Sequence, residues 1–374
     1  MDESYSDEFP NNGTIFLLDS IPPAFTIVLA TVVFVVGVPA NALVIYVIIK
    51  NGKMKTVTNI YVFNLAITDI LFIIFATPIS ISWYVASDFQ YGTVLCKLQT
   101  FLYQTNYAVT VLTLTTLAVD RVYAVVYPVK SRAHRTLKST GVMIALIWIL
   151  GCLSQIVCIF YTSQLFGQCF ELWPSSTERQ LFYCCLFVFF YIIPVIINTV
   201  CYTMIGCRLW RTTTESSIYR INHPKSVMQR RRISTMIMLV VLCFAVCWLP
   251  FHVLALLENF HFLPVTQSVS YLKIFSKMLA VSNSCVDPFV YAFVSMNFRR
   301  SFKCAFHTLF NSDHNNVVLF APDPDDKHHS RIQKSFTLSS RTKSSRSSGN
   351  SSFPKVGKPK SNLKDLMGTR ETNV

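Results

Sequence analysis

The sequence predicts an all-α membrane protein: a seven-transmembrane helix bundle followed by a short amphipathic helix on the membrane surface. Three observations point there. The composition is 52% hydrophobic and only 14% charged, with a mean hydropathy of +0.43, whereas a soluble domain carries about 25% charged residues. Seven stretches each supply the roughly 20 apolar residues that a bilayer crossing needs. Positive charge also alternates between the connecting loops, the asymmetry that orients membrane proteins.

The seven stretches run over roughly 23–49, 58–86, 94–127, 140–163, 181–208, 233–258 and 268–294. Backbone polar groups in lipid must bond within their own segment, so each is expected to be a helix. Pro39, Pro78, Pro194, Pro250 and Pro288 fall inside these spans. Each removes a backbone donor and bends or hinges its helix locally. After the seventh span, Phe298, Phe302 and Phe306 recur at i, i+4 and i+8, with Arg299, Arg300 and Lys303 on other faces. That pattern suits a helix lying on the membrane surface. The expected organisation is an outer tail over 1–22, the bundle over 23–294, the surface helix over 295–310 and a disordered tail over 311–374, polar and rich in Ser, Lys and Arg.

Charge sets the orientation. The net charge is +14, yet the first 49 residues hold Asp2, Glu3, Asp7, Glu8 and Asp19 and no Lys or Arg. Basic residues gather in alternate loops: Lys50, Lys53 and Lys55; Lys130, Arg132, Arg135 and Lys138; then Arg208, Arg211, Arg220, Lys225 and Arg230 to Arg232. The N-terminus is therefore expected outside and the C-terminus in the cytoplasm of a plasma-membrane protein. Charge that alternates with topology in this way argues against a nucleic-acid partner. No basic-then-apolar leader precedes the first span, so no removable signal peptide is expected. Asn12 opens an Asn-Gly-Thr glycosylation acceptor on the outer side, while Asn350-Ser351-Ser352 lies on the inner side.

Asp120-Arg121-Val122 closes the third span, and strong charge there is expensive unless function or a partner keeps it. A snorkelling arginine is the plainer reading, but the other spans carry marks of their own. Asn41 lies in the first, Asn64-Leu65-Ala66-Ile67-Thr68-Asp69 in the second, Trp148 in the fourth, and Pro194 with Tyr202 in the fifth. Phe244 and Cys247-Trp248-Leu249-Pro250 mark the sixth, and Asp287-Pro288-Phe289-Val290-Tyr291 the seventh. Together these resemble the rhodopsin-like (class A) G-protein-coupled receptors over about residues 20 to 310.

The resemblance implies roles. Arg121 would dock the G protein once the sixth helix swings outward, with Asp120 holding its guanidinium beforehand. Trp248 and Phe244 would relay the bend at Pro250, while Tyr202, Pro288 and Tyr291 would shape the inner cavity. Cys96 and Cys169 match the family's disulfide, on the oxidising side. Asp69, Thr110, Asn283 and Asp287 resemble its sodium site, whose hard oxygens suit that ion; a proton shared by the two carboxylates is the alternative. Two departures stand out. Val122 replaces the usual Tyr, and Arg230 to Arg232 offer no acid to latch Arg121, so measurable basal signalling is expected.

The outer cavity is read from spacing. Tyr103 lies 18 residues before Arg121, about 27 Å up the helix, where amine receptors of this family carry Asp. The opsin Schiff-base lysine position is Val281, so neither an amine receptor nor an opsin is expected. Gln99, Tyr103, Gln104, Phe251, His252, Glu258, Lys273 and Lys277 combine cation, acid and aromatics, a surface suited to a peptide. Glu258 paired with one of the lysines, and His252 packed and hydrogen-bonded, are the structural alternatives. Lys277 is an intramembrane charge and so a functional candidate.

Asn283-Ser284-Cys285 through Asn297-Phe298-Arg299-Arg300, with His252, resemble the galanin, allatostatin A and kisspeptin receptor group. Somatostatin receptors share part of that run. A neuropeptide receptor coupled to an inhibitory or a calcium-mobilising G protein is the expectation; the alternatives are an acidic or lipid ligand, or a transporter. Transporters show internal repeats, and none is visible. No nucleophile, P-loop or metal-ligand spacing marks an enzyme. Cys304 beside the Phe298 stripe is a palmitoylation candidate or an unmodified small residue. The Ser-rich tail suits phosphorylation and arrestin. Thr372 and Val374 end the chain in the form that adds as a strand to a PDZ domain.

Overall fold

The computed structural model describes residues 23–86, 91–129, 131, 135–165, 168–215 and 224–310. The described residues form helices plus one hairpin. The first three spans are Pro23–Lys50, Val57–Ala86 and Gly92–Val125. Leu137–Gln155 continues into a short helix Val157–Tyr161 to make the fourth. The hairpin strands β1 (Thr162–Leu165) and β2 (Gln168–Glu171) follow. The fifth span is Ser176–Phe187, a π turn Val188–Ile192 and Ile193–Glu215. Pro224–Asn259 is the sixth, Gln267–Val294 the seventh, and Met296–Phe310 the last helix.

The first span packs on the second and seventh, and the sixth on the fifth and seventh. The third touches the second, fourth, fifth and sixth and runs through the middle. Burial follows this arrangement. In their most apolar windows the third span is 61% buried and the fourth only 22%. Val32, Val35, Leu153, Phe160, Val246 and Phe293 are exposed, as lipid-facing side chains must be where no water competes for the apolar surface.

Among the described residues, six helices are individually long and apolar enough to cross a bilayer, and the seventh qualifies when counted with Met296–Phe306, from which it bends by 102°. Its lower hydropathy has a cause: Asn283, Ser284 and Asp287 are buried against other helices, and Lys273 and Lys277 lie in its N-terminal half. At the bend Ser295 is extended, with φ −95° and ψ 113°. Phe298 then packs on Tyr291 with ring centroids 5.6 Å apart. Arg299 donates to the Ala292 and Phe293 carbonyls that end the span.

Several boundaries differ from the sequence expectation, and three of them have a plain physical reason. The fifth span begins at Ser176 because the Ser175 side chain accepts from the Glu178 N–H at 3.2 Å, which caps the helix before the apolar run starts. The sixth begins at Pro224, a favoured first helical residue, and its polar first turns escape a search for apolar stretches. The fourth ends its helix at Tyr161, since Thr162 enters β1 and pairs with Glu171.

Candidate functional site

At the hairpin end of the bundle, the first layer is polar. Cys96 at the top of the third span is bonded to Cys169 of β2, with Cα atoms 5.7 Å apart. The bridge fixes the hairpin against the bundle and so places Glu171. Its carboxylate accepts from Trp173 Nε1 at 3.0 Å and from the Tyr183 hydroxyl at 3.0 Å. The sixth span closes in a Schellman motif. Phe262 N donates to Leu257 O, His261 N donates to Glu258 O, and His261 takes the left-handed φ of 58°. Glu258 then accepts from Lys273 Nζ at 2.8 Å. Lys277, one turn deeper, stands 5.5 Å from the centre of the Tyr103 ring.

Aromatic rings form the next layer. Tyr103 meets Phe72 at 5.0 Å, Trp248 at 6.2 Å and Phe251 at 6.3 Å between centroids. Tyr107, one turn below Tyr103, lies 4.3 Å from Trp248 and stacks on Phe244 at 5.9 Å. Its hydroxyl donates to Phe190 O at 2.8 Å and lies 2.6 Å from His252 Nε2. A hydroxyl has one proton, and here it is committed to Phe190, so His252 must donate from Nε2. His252 is buried and hydrogen-bonded within the wall. Gln104 is buried with its Oε1 lacking a partner, and Gln99 is half-buried one turn above Tyr103.

Beneath Trp248, a cavity of about 10 Å³ is lined by Asp69, Asn106, Thr110, Asn283 and neighbouring rings. Asp69 Oδ2, Asn106 Oδ1, Asn283 Oδ1 and Asp287 Oδ1 are buried without hydrogen-bond partners. Asp69 and Asp287 are close enough for their charges to interact. The Asp69 carboxylate and the Asn106 and Asn283 amide oxygens on this one cavity are hard donors of the kind that suits a hard cation. Asn41 donates to the carbonyls of Gly37 at 3.0 Å and Ser284 at 2.8 Å. Asn64 joins Thr113 at 3.0 Å and Trp148 at 2.9 Å.

At the end opposite the hairpin, Arg121 is buried, and its Nη2 donates to Asp120 Oδ2 at 2.8 Å. Arg135 also grips Asp120, donating from Nε at 2.6 Å and from Nη2 at 2.8 Å. The Arg121 Nε and the Tyr202 and Tyr291 hydroxyls are buried without partners. Pro250 and Pro288 lie inside their helices. Met228, Gln229, Arg232, Ile233, Ser295, Met296 and Asn297 border a cavity of about 390 Å³ between the sixth span and the last helix.

Sequence reasoning missed Tyr107, Asn106, Glu171 and Tyr183, and it gave Arg135 only as loop charge, without its contact to Asp120. Tyr107 lies at i+4 from Tyr103, so helical spacing alone could have found it. Glu171 depends on the hairpin and Arg135 on the loop path, and neither leaves a periodic signal. Asn12, Thr372 and Val374 lie outside the described residues. Cys304 is half-buried on the last helix.

Comparison with known proteins identifies the family. The profile described as "7 transmembrane receptor (rhodopsin family)" matches residues 40–291. G-protein coupled receptor 54 of Oreochromis niloticus is 33% identical over 292 residues, covering 75% of this chain and 78% of that relative. Galanin receptor type 2 of Mus musculus is 34% identical over 275 residues, covering 72% and 73%. Galanin receptor type 1 of Homo sapiens is 28% identical over 313 residues, covering 81% and 87%. With its seven helices, bridged hairpin and buried Arg121, this chain belongs to the rhodopsin family of seven-transmembrane receptors.

Proposed function

We propose that the chain is a plasma-membrane receptor for an extracellular neuropeptide and that it activates heterotrimeric G proteins. One observation carries this reading. A layered path of side chains joins the hairpin-covered outer cavity to a buried, acid-held arginine at the opposite end. The relatives named as galanin receptors support the peptide class. A ligand binding among Gln99, Tyr103, Gln104, Phe251, Glu258 and Lys277 would favour one of two bundle states. Trp248 packs on Tyr107 and Phe244 immediately before Pro250, so a displaced ring bends the sixth span where its backbone bonding is already broken. The inner half then moves outward and uncovers Arg121, with Tyr202 and Tyr291 beside it.

The same proposal places the N-terminus and Asn12 outside and the tail inside, where phosphorylation would recruit arrestin. Thr372 and Val374 would meet a PDZ domain, and Cys304 would carry a palmitoyl chain. Asp69, Thr110, Asn283 and Asp287, joined by Asn106, would hold a sodium ion. Bound there, the ion would supply a positive charge that offsets the two carboxylates. Replacing sodium by a large organic cation in the assay buffer should raise ligand-independent nucleotide exchange by receptor-containing membranes. An unchanged rate removes the sodium assignment.

The direct test screens a neuropeptide library with calcium and cyclic-nucleotide readouts, comparing the native chain with Arg121→Ala at matched surface expression. The native chain should respond to a peptide, and the variant should lose at least about 90% of the G-protein signal, as expected when a charge-assisted contact is removed. A full response from the variant contradicts the coupling role.

A further inference from the structure

We propose that Lys277 is the ligand-selecting cation of the outer cavity and that it receives a carboxylate of the bound ligand. The inference deepens the peptide-receptor reading and rests on it.

An ammonium within a span is kept where a partner or a pathway requires it. Lys273, one turn nearer the outside, already has its partner in Glu258 at 2.8 Å. Lys277 donates no hydrogen bond and makes no ion pair among the described residues. Its one close relationship is with the Tyr103 ring, 5.5 Å from the centroid. Glu171 is the carboxylate whose charge reaches Lys277. The Tyr183 hydroxyl shares its one proton between the two Glu171 oxygens, at 3.1 and 3.0 Å, Trp173 donates to one of them, and Glu171 makes no ion pair with Lys277 among the described residues.

Tyr103 carries a second donor in the same condition, for its hydroxyl is buried without a partner. Buried polar groups are satisfied in the great majority of cases, and an ammonium has three hydrogens to place and no capacity to accept. Lys277 and Tyr103 thus leave an excess of donors in one wall of the cavity, with Phe72, Trp248 and Phe251 supplying apolar surface beside them. The complementary group is an anionic acceptor attached to an apolar or aromatic body. A carboxylate meets both conditions, whether it comes from a free C-terminus or from an Asp or Glu side chain. A C-terminal amide offers a single neutral acceptor and would leave the ammonium uncompensated.

Two arms test this. In cells expressing the native chain, Lys277→Gln or Lys277→Arg at matched surface levels, each activating peptide is applied in paired forms. One pair differs by C-terminal carboxylate or amide, the other by Asp and Glu or Asn and Gln. The sensitive pair identifies the source of the carboxylate. For that pair the native receptor should lose about tenfold or more in potency when the carboxylate is neutralised, the range for a hydrogen bond to a charged group. Lys277→Gln should show the loss already and no further change, and Lys277→Arg should retain discrimination. Equal discrimination by Lys277→Gln and the native chain overturns the proposal.

In the second arm, purified full-length receptor is heated with 3-phenylpropionate or 3-phenylpropanamide. The acid should raise the unfolding temperature of the native chain and of Lys277→Arg, but not of Lys277→Gln, and the amide should raise none. Equal stabilisation of all three chains by the acid, or no stabilisation of the native chain, overturns the assignment. Stabilisation by the acid without activation by any peptide sinks the peptide reading and leaves the carboxylate subsite standing.

Discussion

Proline leaves the carbonyl four residues earlier without its usual donor, and at two prolines of this bundle a side chain from another span makes up the deficit. Pro288 cannot bond Ser284 O, and Asn41 of the first span donates there at 2.8 Å. Pro194 cannot bond Phe190 O, and the Tyr107 hydroxyl of the third span donates there at 2.8 Å. These bonds turn a local defect into a tie between helices. Asn41→Ala should therefore lower the unfolding free energy by about 1–3 kcal/mol, the cost of an unsatisfied buried carbonyl. Thermal melting of the purified receptor checks this, and an unchanged melting temperature would contradict it. The sequence revealed the prolines and Asn41 but not their pairing, because partners 243 residues apart leave no local pattern.

Within single elements, apolar length located every span and missed whatever lay beyond the lipid. The Pro224 start of the sixth helix is polar, and the hairpin strands are four residues each. The inner loop gives the clearest case. Adjacency alone pairs Asp120 with Arg121, but the grip of Arg135 on both Asp120 oxygens depends on how the loop folds back. Asp120 thus divides one charge between two guanidinium groups, and the Pro224 end of the sixth helix carries no acid to replace what Arg121 gives up. Arg135→Ala should return Asp120 wholly to Arg121, tighten the resting state and lower ligand-independent nucleotide exchange. Membranes carrying the variant at matched receptor density provide the readout, and a rise in basal exchange would contradict the argument.

Across the whole molecule, the legible part was what every membrane bundle of this family must satisfy. Seven apolar periods, loop charge and one marked residue set per span were enough for the fold and the family. The cavity was legible by residue type only. Lys273 and Lys277 look equivalent in sequence, four residues apart on one face, and only the closing turn of the sixth span assigns Glu258 to Lys273. Likewise, the aromatic wall was predicted from Tyr103 and Phe251, while Tyr107 and Phe72 complete it through contacts between spans.

The central claim is that the inner half of the sixth span moves away from the third when the receptor engages its G protein. Probes attached at Tyr127, just past the third span, and at Arg231, on the exposed inner turns of the sixth, report that distance in receptor held in lipid discs. Adding nucleotide-free G protein should widen the separation, and Arg121→Ala should abolish the widening. A separation that stays fixed while nucleotide exchange proceeds would contradict the account.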